Sequence, residues 1–223
     1  MSPARQDSAA GREAAVDTII LVRHGKPALS RKVRLTWQEF RDWWIDYDAG
    51  GIKPGQLPPK KVRKWAERAD IVVTSPLPRA IESARLAAGR DPDELMPALV
   101  EAALPSPPLG PLRMRPKSWG TLARILWFIG YSDGMETHAE ARARANAASD
   151  TLSARAAGGH IVYVQGHGWF NRMLKGSLMA RGWRCKSQNG DLHWSRRQMV
   201  RPSRTDNGAP QATGPEPNEK DTA

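Results

Sequence analysis

The segment Thr18-Ile19-Ile20-Leu21-Val22-Arg23-His24-Gly25-Lys26-Pro27 runs from a β-branched apolar stretch straight into a turn punctuated by Gly25 and Pro27. It predicts a buried strand that delivers His24 to its carboxyl end. The same layout recurs twice. Ile71-Val72-Val73 ends at Thr74-Ser75-Pro76, with Pro78 at a helix start and Arg79 in its first turn. Ile161-Val162-Tyr163-Val164 ends at Gln165-Gly166-His167-Gly168, with a helix expected from Trp169 to about Arg181. Strands alternating with helices predict a three-layer αβα sandwich, mostly parallel, with helices on both faces.

Between these segments the sequence predicts a helix from Thr36 through Trp37, Phe40, Trp43, Trp44 and Tyr47, an aromatic stripe that reads as packing. A basic helix is expected from Pro58-Pro59 to Ala69, and a long Ala/Arg-rich one from Met135 to about Ala157. Leu99-Val100-Glu101 reads as a third strand end, Pro105 to Pro116 as an irregular connection, and Trp119 to Tyr131 as a surface helix or a lid over a pocket. Asp191 to Met199 alternates as a last edge strand.

A chain of 223 residues supports one α/β domain. We assign it to residues 17–200, flanked by disordered segments 1–16 and 201–223 whose composition is polar. The net charge of +11 does not come from the ends: residues 1–16 balance, and residues 201–223 carry three basic against four acidic side chains. A basic folded part suits anionic ligands, although a solvated basic surface accounts for it equally. No nucleic-acid motif is present, and no run approaches the roughly 20 apolar residues of a membrane helix. A cytoplasmic protein is expected, with Cys185 as a small partly buried thiol. No two histidines have metal-ligand spacing on one helix, so neither a metal nor another cofactor is expected. His138, His160 and His193 lack motif company and read as surface or structural residues.

In open α/β sheets ligands bind beyond the carboxyl ends of strands, so Arg23, His24, Arg79 and His167 are expected to converge in one crevice. Two arginines and two histidines make an anion site suited to a transferring phosphoryl group. The charge spread over its equatorial oxygens is met by guanidinium forks and imidazole N–H groups, while a neutral imidazole attacks phosphorus. A proton donor for the leaving oxygen is also needed, and Glu101 is the first candidate, ahead of Asp133 and Glu136.

These residues resemble the histidine phosphatase, or phosphoglycerate mutase-like, superfamily over roughly Thr18 to Met199. The resemblance rests on Arg23-His24-Gly25, on Ser75-Pro76-Leu77-Pro78-Arg79-Ala80, and on His167-Gly168, in the family's order. It implies a phosphatase with His24 as the phosphorylated nucleophile, Arg23, Arg79 and His167 as the phosphate pocket, and Glu101 as the acid. The substrate would be a phosphorylated small molecule or a phosphoprotein. Lys26-Pro27 stands where many members have an acidic residue and Thr, and a nearby Asn that often assists phosphate binding is missing. Both departures argue against a phosphoglycerate-mutase-type phosphotransferase. Alternatives are a phosphohistidine protein phosphatase and a non-catalytic basic binding module for anionic ligands.

Overall fold

The computed structural model describes residues 15–203. Six strands form one sheet in the order β3-β2-β4-β1-β6-β5. They are β1 (Val16–Arg23), β2 (Ile71–Thr74), β3 (Glu94–Leu95), β4 (Ile161–Gly166), β5 (Arg184–Asn189) and β6 (Arg196–Pro202). The β3/β2, β2/β4 and β4/β1 pairs are parallel, and only β6 runs against its neighbours. The helices are α1 (Trp37–Ala49), α2 (Lys60–Glu67), α3 (Pro78–Ala88), α4 (Pro116–Phe128), α5 (His138–Ala156) and α6 (Gly168–Ala180).

Alternation along the central strands decides which helices cover which face. Ile19, Leu21, Val73, Val162 and Val164 point to one side, against Leu152 of α5 and Phe170 and Leu174 of α6. Ile20, Val22, Val72 and Tyr163 point to the other, against Val62 and Ala66 of α2 and Ala84 and Ala87 of α3. Both faces are buried, as a mostly parallel αβα sandwich requires. A satellite cluster forms where Phe40 and Trp43 of α1 stack near Trp119 of α4, with Phe40 and Trp119 centroids 5.8 Å apart.

Local signals account for several boundaries. α5 starts later than the composition suggested because Thr137 and Glu140 form a reciprocal capping box. α4 starts earlier, because Pro116 occupies its first turn, where a missing N–H costs nothing. Leu99–Glu101 is not a strand end: a 3₁₀ turn occupies Pro97–Leu99, and the third strand is the two-residue β3 before it. The last strand is not the edge. β6 pairs with β1 on one side and with β5 on the other, and β5 escaped notice because its polar sequence has no apolar alternation. Edge strands exposed on both faces are legitimately polar.

Val16 pairs with Pro202 and Asp17 with Arg201, so the ordered sheet reaches slightly beyond the expected boundaries at 16 and 201. Residues 1–14 and 204–223 of the expected disordered ends lie outside the described residues. Cys185 is free and half-buried on β5. Among the described residues, no helix is long and apolar enough to cross a membrane.

Candidate active site

The sheet order brings the ends of β2, β4 and β1 side by side, and backbone bonds extend this pairing into the turns. His24 N donates to Gly166 O at 2.9 Å, Ser75 N to Gln165 O at 3.1 Å, and Arg23 N to Ser195 O at 2.9 Å. His24 is thus tied to β4, the strand that carries His167. The two imidazole centroids lie 5.2 Å apart and both rings are buried.

The protonation of His24 follows from one contact. Its Nδ1 is 2.7 Å from the carbonyl oxygen of Gly25, which can only accept, so Nδ1 carries the hydrogen and Nε2 the lone pair. Burial, and then the charges of His167, Arg79 and Arg23, hold the pKa of His24 well below its ordinary value. That direction favours the neutral ring, with its lone pair on Nε2. Gly25 itself is fixed. Its N–H donates to Ser83 Oγ at 2.8 Å, and that hydroxyl donates to the Arg79 carbonyl at 2.6 Å. A Cβ at Gly25 would stand 2.8 Å from the Trp194 indole, so no larger residue fits this turn.

Arg79 starts α3, yet its side chain ends elsewhere. The fully buried guanidinium donates from Nη1 to the Tyr47 carbonyl and from Nη2 to Asp48 Oδ1, both at 2.9 Å. It thereby sits at the C-terminal, negative end of α1, over the Tyr47 ring at 4.5 Å. A cation at a helix start looks anomalous in sequence; the protein resolves it partly with its own anion, Asp48. Burial raises the Asp48 pKa, against the pull of Arg79. Arg23 Nη1 donates to the Asp191 carbonyl at 2.7 Å, and its guanidinium lies against the start of α6, where a Cβ at Gly168 would meet Cζ at 3.0 Å. Arg23 Nε, Arg79 Nε and His167 Nδ1 are buried with no protein partner. Buried donors without acceptors are costly unless a ligand supplies them.

His167 Nε2 is 2.8 Å from Ser75 Oγ, which joins the second and third strand-end motifs directly. Burial, followed by Arg79 and Arg23, lowers its pKa well below the ordinary value. His193 corrects the sequence reading. It is neither remote nor merely superficial, because its ring centroid lies 5.9 Å from that of His24, its Nε2 is buried without a partner, and burial lowers its pKa to about 4. Only the β5–β6 connection brings it there, and no motif announced it. His138 packs edge-on to Trp127, and His160 is exposed.

Glu101 reaches the site from outside the strand-end pattern. Its Oε2 accepts from Trp169 N at 3.0 Å and its Oε1 from Phe170 N at 2.8 Å. The carboxylate therefore caps α6, the helix that follows His167, and it also lines the cavity in front of His24. Asp133 is not among the cavity-lining residues, and Glu136 is taken up by Arg144 at 2.6 Å.

That cavity has a volume of about 450 Å³. Arg23, His24 and Arg79 line it, and α1 contributes Trp44 and Tyr47, so the aromatic stripe both packs and shapes the pocket. α4 forms another wall through Lys117, Thr121, Arg124, Ile125 and Phe128, which lie on one helical face. Among the described residues, no group of three or more His, Cys, Asp or Glu is placed to hold a metal ion.

Arg23, His24, Arg79 and His167 thus gather where the turns that follow three adjacent parallel strands meet. The family model of the histidine phosphatase superfamily (branch 1) matches residues 19–198, and the chain belongs to that superfamily. Its phosphoglycerate mutase-like architecture is similar to that of mycobacterial glucosyl-3-phosphoglycerate phosphatase, with 15% identity over 83% of this chain and 90% of that one and a TM-score of 0.50. It is also similar to a phosphoserine phosphatase mutant from Entamoeba histolytica, with 16% identity, 73% and 80% coverage and a TM-score of 0.47. A third similar structure is the ecdysone phosphate phosphatase from Bombix mori, with 14% identity, 81% and 88% coverage and a TM-score of 0.46. At such identities the likeness concerns the fold alone. No curated protein sequence matches the chain.

Proposed function

We propose that the protein hydrolyses phosphomonoesters of small molecules through a phosphohistidine on His24. The observation that carries this reading is the neutral His24 ring, with Nδ1–H engaged by Gly25 O and the Nε2 lone pair left for phosphorus. In the first step Nε2 forms a bond to phosphorus as the P–O ester bond breaks, and Glu101, when protonated, gives its proton to the departing oxygen. Water then attacks the phosphohistidine, giving a proton back to Glu101. The N–P bond breaks, the electron pair returns to Nε2, and inorganic phosphate leaves.

Arg23, Arg79 and His167 bind the equatorial oxygens in this reading. Their unpartnered buried nitrogens support it, since a phosphoryl group supplies the acceptors they lack. Burial first, and then the cations that bind phosphate, keep His24 unprotonated. The cavity is of the size used for small-molecule sites, which favours a small phosphorylated substrate over a phosphoprotein.

A panel of phosphomonoesters with rapid acid-free quenching tests the proposal. Turnover and a phosphohistidine sensitive to acid are expected in the native protein, and both are expected to vanish in His24→Ala. Turnover that survives in His24→Ala overturns the mechanism, and no turnover on any ester overturns the activity.

A further inference from the structure

A surface helix ordinarily buries one apolar stripe and turns a polar face to water. α4 does not. Pro116, Trp119, Ala123 and Trp127 are its buried side, yet Ile125, Phe128 and Ile129 at its carboxyl end face outward, Ile129 with 76% of its surface exposed. Ile125 and Phe128 stand at the mouth of the cavity in front of His24, and Ile129, four residues after Ile125, continues the patch beyond it. Single exposed apolar side chains are ordinary, but three on adjoining turns of one helix make a contiguous patch that marks a contact surface.

The amino end of α4 adds charge of one sign. Leu35 and Met114 exchange backbone hydrogen bonds, both 2.9 Å long, which hold residues 32–34 beside residues 113–115. Lys32, Arg34, Arg113, Arg115 and Lys117 are all exposed on these segments and the first turn of α4, as are Val33 and Leu112. Arg113 pairs with Glu39 at 2.9 Å, and the other four cations form no ion pair among the described residues. At the far end of α4, Asp133 hydrogen-bonds Tyr131. Across the mouth, α1 is mixed: Arg41 pairs with Asp42 at 3.8 Å, and Asp46 is exposed. The cationic surface therefore belongs to the α4 side, within the roughly 20 Å that a helix of this length spans.

We propose that this face docks, without spanning, on the surface of an anionic lipid bilayer. Ile125, Phe128 and Ile129 enter the boundary between headgroups and acyl chains, while Lys32, Arg34, Arg115 and Lys117 lie among the anionic headgroups. Apolar side chains beside unpaired cations on one helix are the composition that such a boundary selects, since each half of the surface meets its own chemistry. A second copy of this chain fits poorly, because a two-fold contact through the face would set the same unpaired cations against each other. A protein seated here would close the cavity mouth. A bilayer instead presents that mouth with anionic headgroups, which suit the unpartnered donors of Arg23, Arg79 and His167.

The test is co-sedimentation of the native full-length protein with vesicles of phosphatidylcholine alone and of equal parts phosphatidylcholine and phosphatidylglycerol. Binding to the mixed vesicles is expected, with most of the protein released by about 0.5 M salt. Ile129→Glu is expected to weaken it about tenfold, and the triple variant Lys32→Gln, Arg34→Gln, Arg115→Gln about a hundredfold. Leu57→Glu alters an exposed apolar residue outside this face and is expected to change binding by about twofold or less. None of these residues lines the cavity, and binding requires no hydrolysis, so the result does not depend on the phosphatase reading. Failure to bind the mixed vesicles, equal binding to phosphatidylcholine alone, or unchanged binding in Ile129→Glu or in the triple variant overturns the inference. A loss in Leu57→Glu as large as that in Ile129→Glu also overturns it, because adhesion would then have no defined face. A native dimer that Ile129→Glu dissociates, with vesicles leaving the protein in solution, overturns it by giving the face to a second copy.

Discussion

Lowering the pH from about 7.5 to about 5.5 is expected to destabilise the protein by about 3 kcal/mol, through His24 and His167. Both have native pKa values held well below the ordinary one, first by burial and then by neighbouring cations. In the unfolded chain each titrates near its ordinary value of about 6.5. A depressed histidine pKa contributes stability above the unfolded pKa and loses it as pH falls, because the unfolded state takes up a proton that the native state refuses. Between about pH 7.5 and 5.5 each such group costs about 1.4 kcal/mol, which gives the figure for the pair. His193 acts in the same direction, with a smaller effect because it is only partly buried. Carboxylates scarcely titrate in this window, so it isolates the histidines. Urea unfolding at the two pH values measures the difference. His167→Asn removes one titrating group and is expected to reduce the pH-dependent part by about half, whatever it does to absolute stability. Stabilities equal within about 0.5 kcal/mol at the two pH values would show that the rings are not held neutral and would remove the basis for a permanently unprotonated nucleophile.

Three further substitutions address individual contacts. Asp48→Ala leaves the buried Arg79 guanidinium without its carboxylate and is expected to cost about 3 kcal/mol in thermal or urea unfolding; this is the low end for unpairing a buried charge because the Asp48 side chain is 34% exposed. A cost below about 1 kcal/mol would mean that Tyr47 O alone satisfies Arg79. Gly168→Ala places a Cβ 3.0 Å from Arg23 Cζ and is expected to raise KM and the inhibition constant of phosphate about tenfold with a normal melting temperature. Unchanged constants would show that Arg23 does not depend on that approach. Glu101→Gln is expected to slow alkyl phosphates on the order of a hundredfold and nitrophenyl phosphate about threefold or less, since only the poor leaving group needs a proton. An equal loss on both substrates would reduce Glu101 to the cap of α6.

Local chemistry made a large part of the site legible. A β-branched run stopped by Gly and Pro marks a strand end without reference to any other residue, and that signal placed Arg23, His24 and His167; the Pro78 helix start placed Arg79. Apolar runs buried on both faces likewise announced a parallel sheet covered by helices. The partners of those residues left no such trace. Asp48 meets Arg79 across 31 positions, Glu101 caps α6 across 68, and His193 faces His24 through a connection between two strands. One of those strands, β5, is polar enough to pass for a loop.

The sequence by itself determined the αβα architecture, the family and the placing of Arg23, His24, Arg79 and His167 at three strand-to-helix turns, because strand propensity, turn chemistry and helix starts act between near neighbours in the chain. Tertiary structure alone decided the strand order that brings β2, β4 and β1 together, the tautomer of His24 and the ion pair of Arg79. Those properties depend on burial and on distances between remote segments, and neither quantity is encoded in the spacing of residues along the chain.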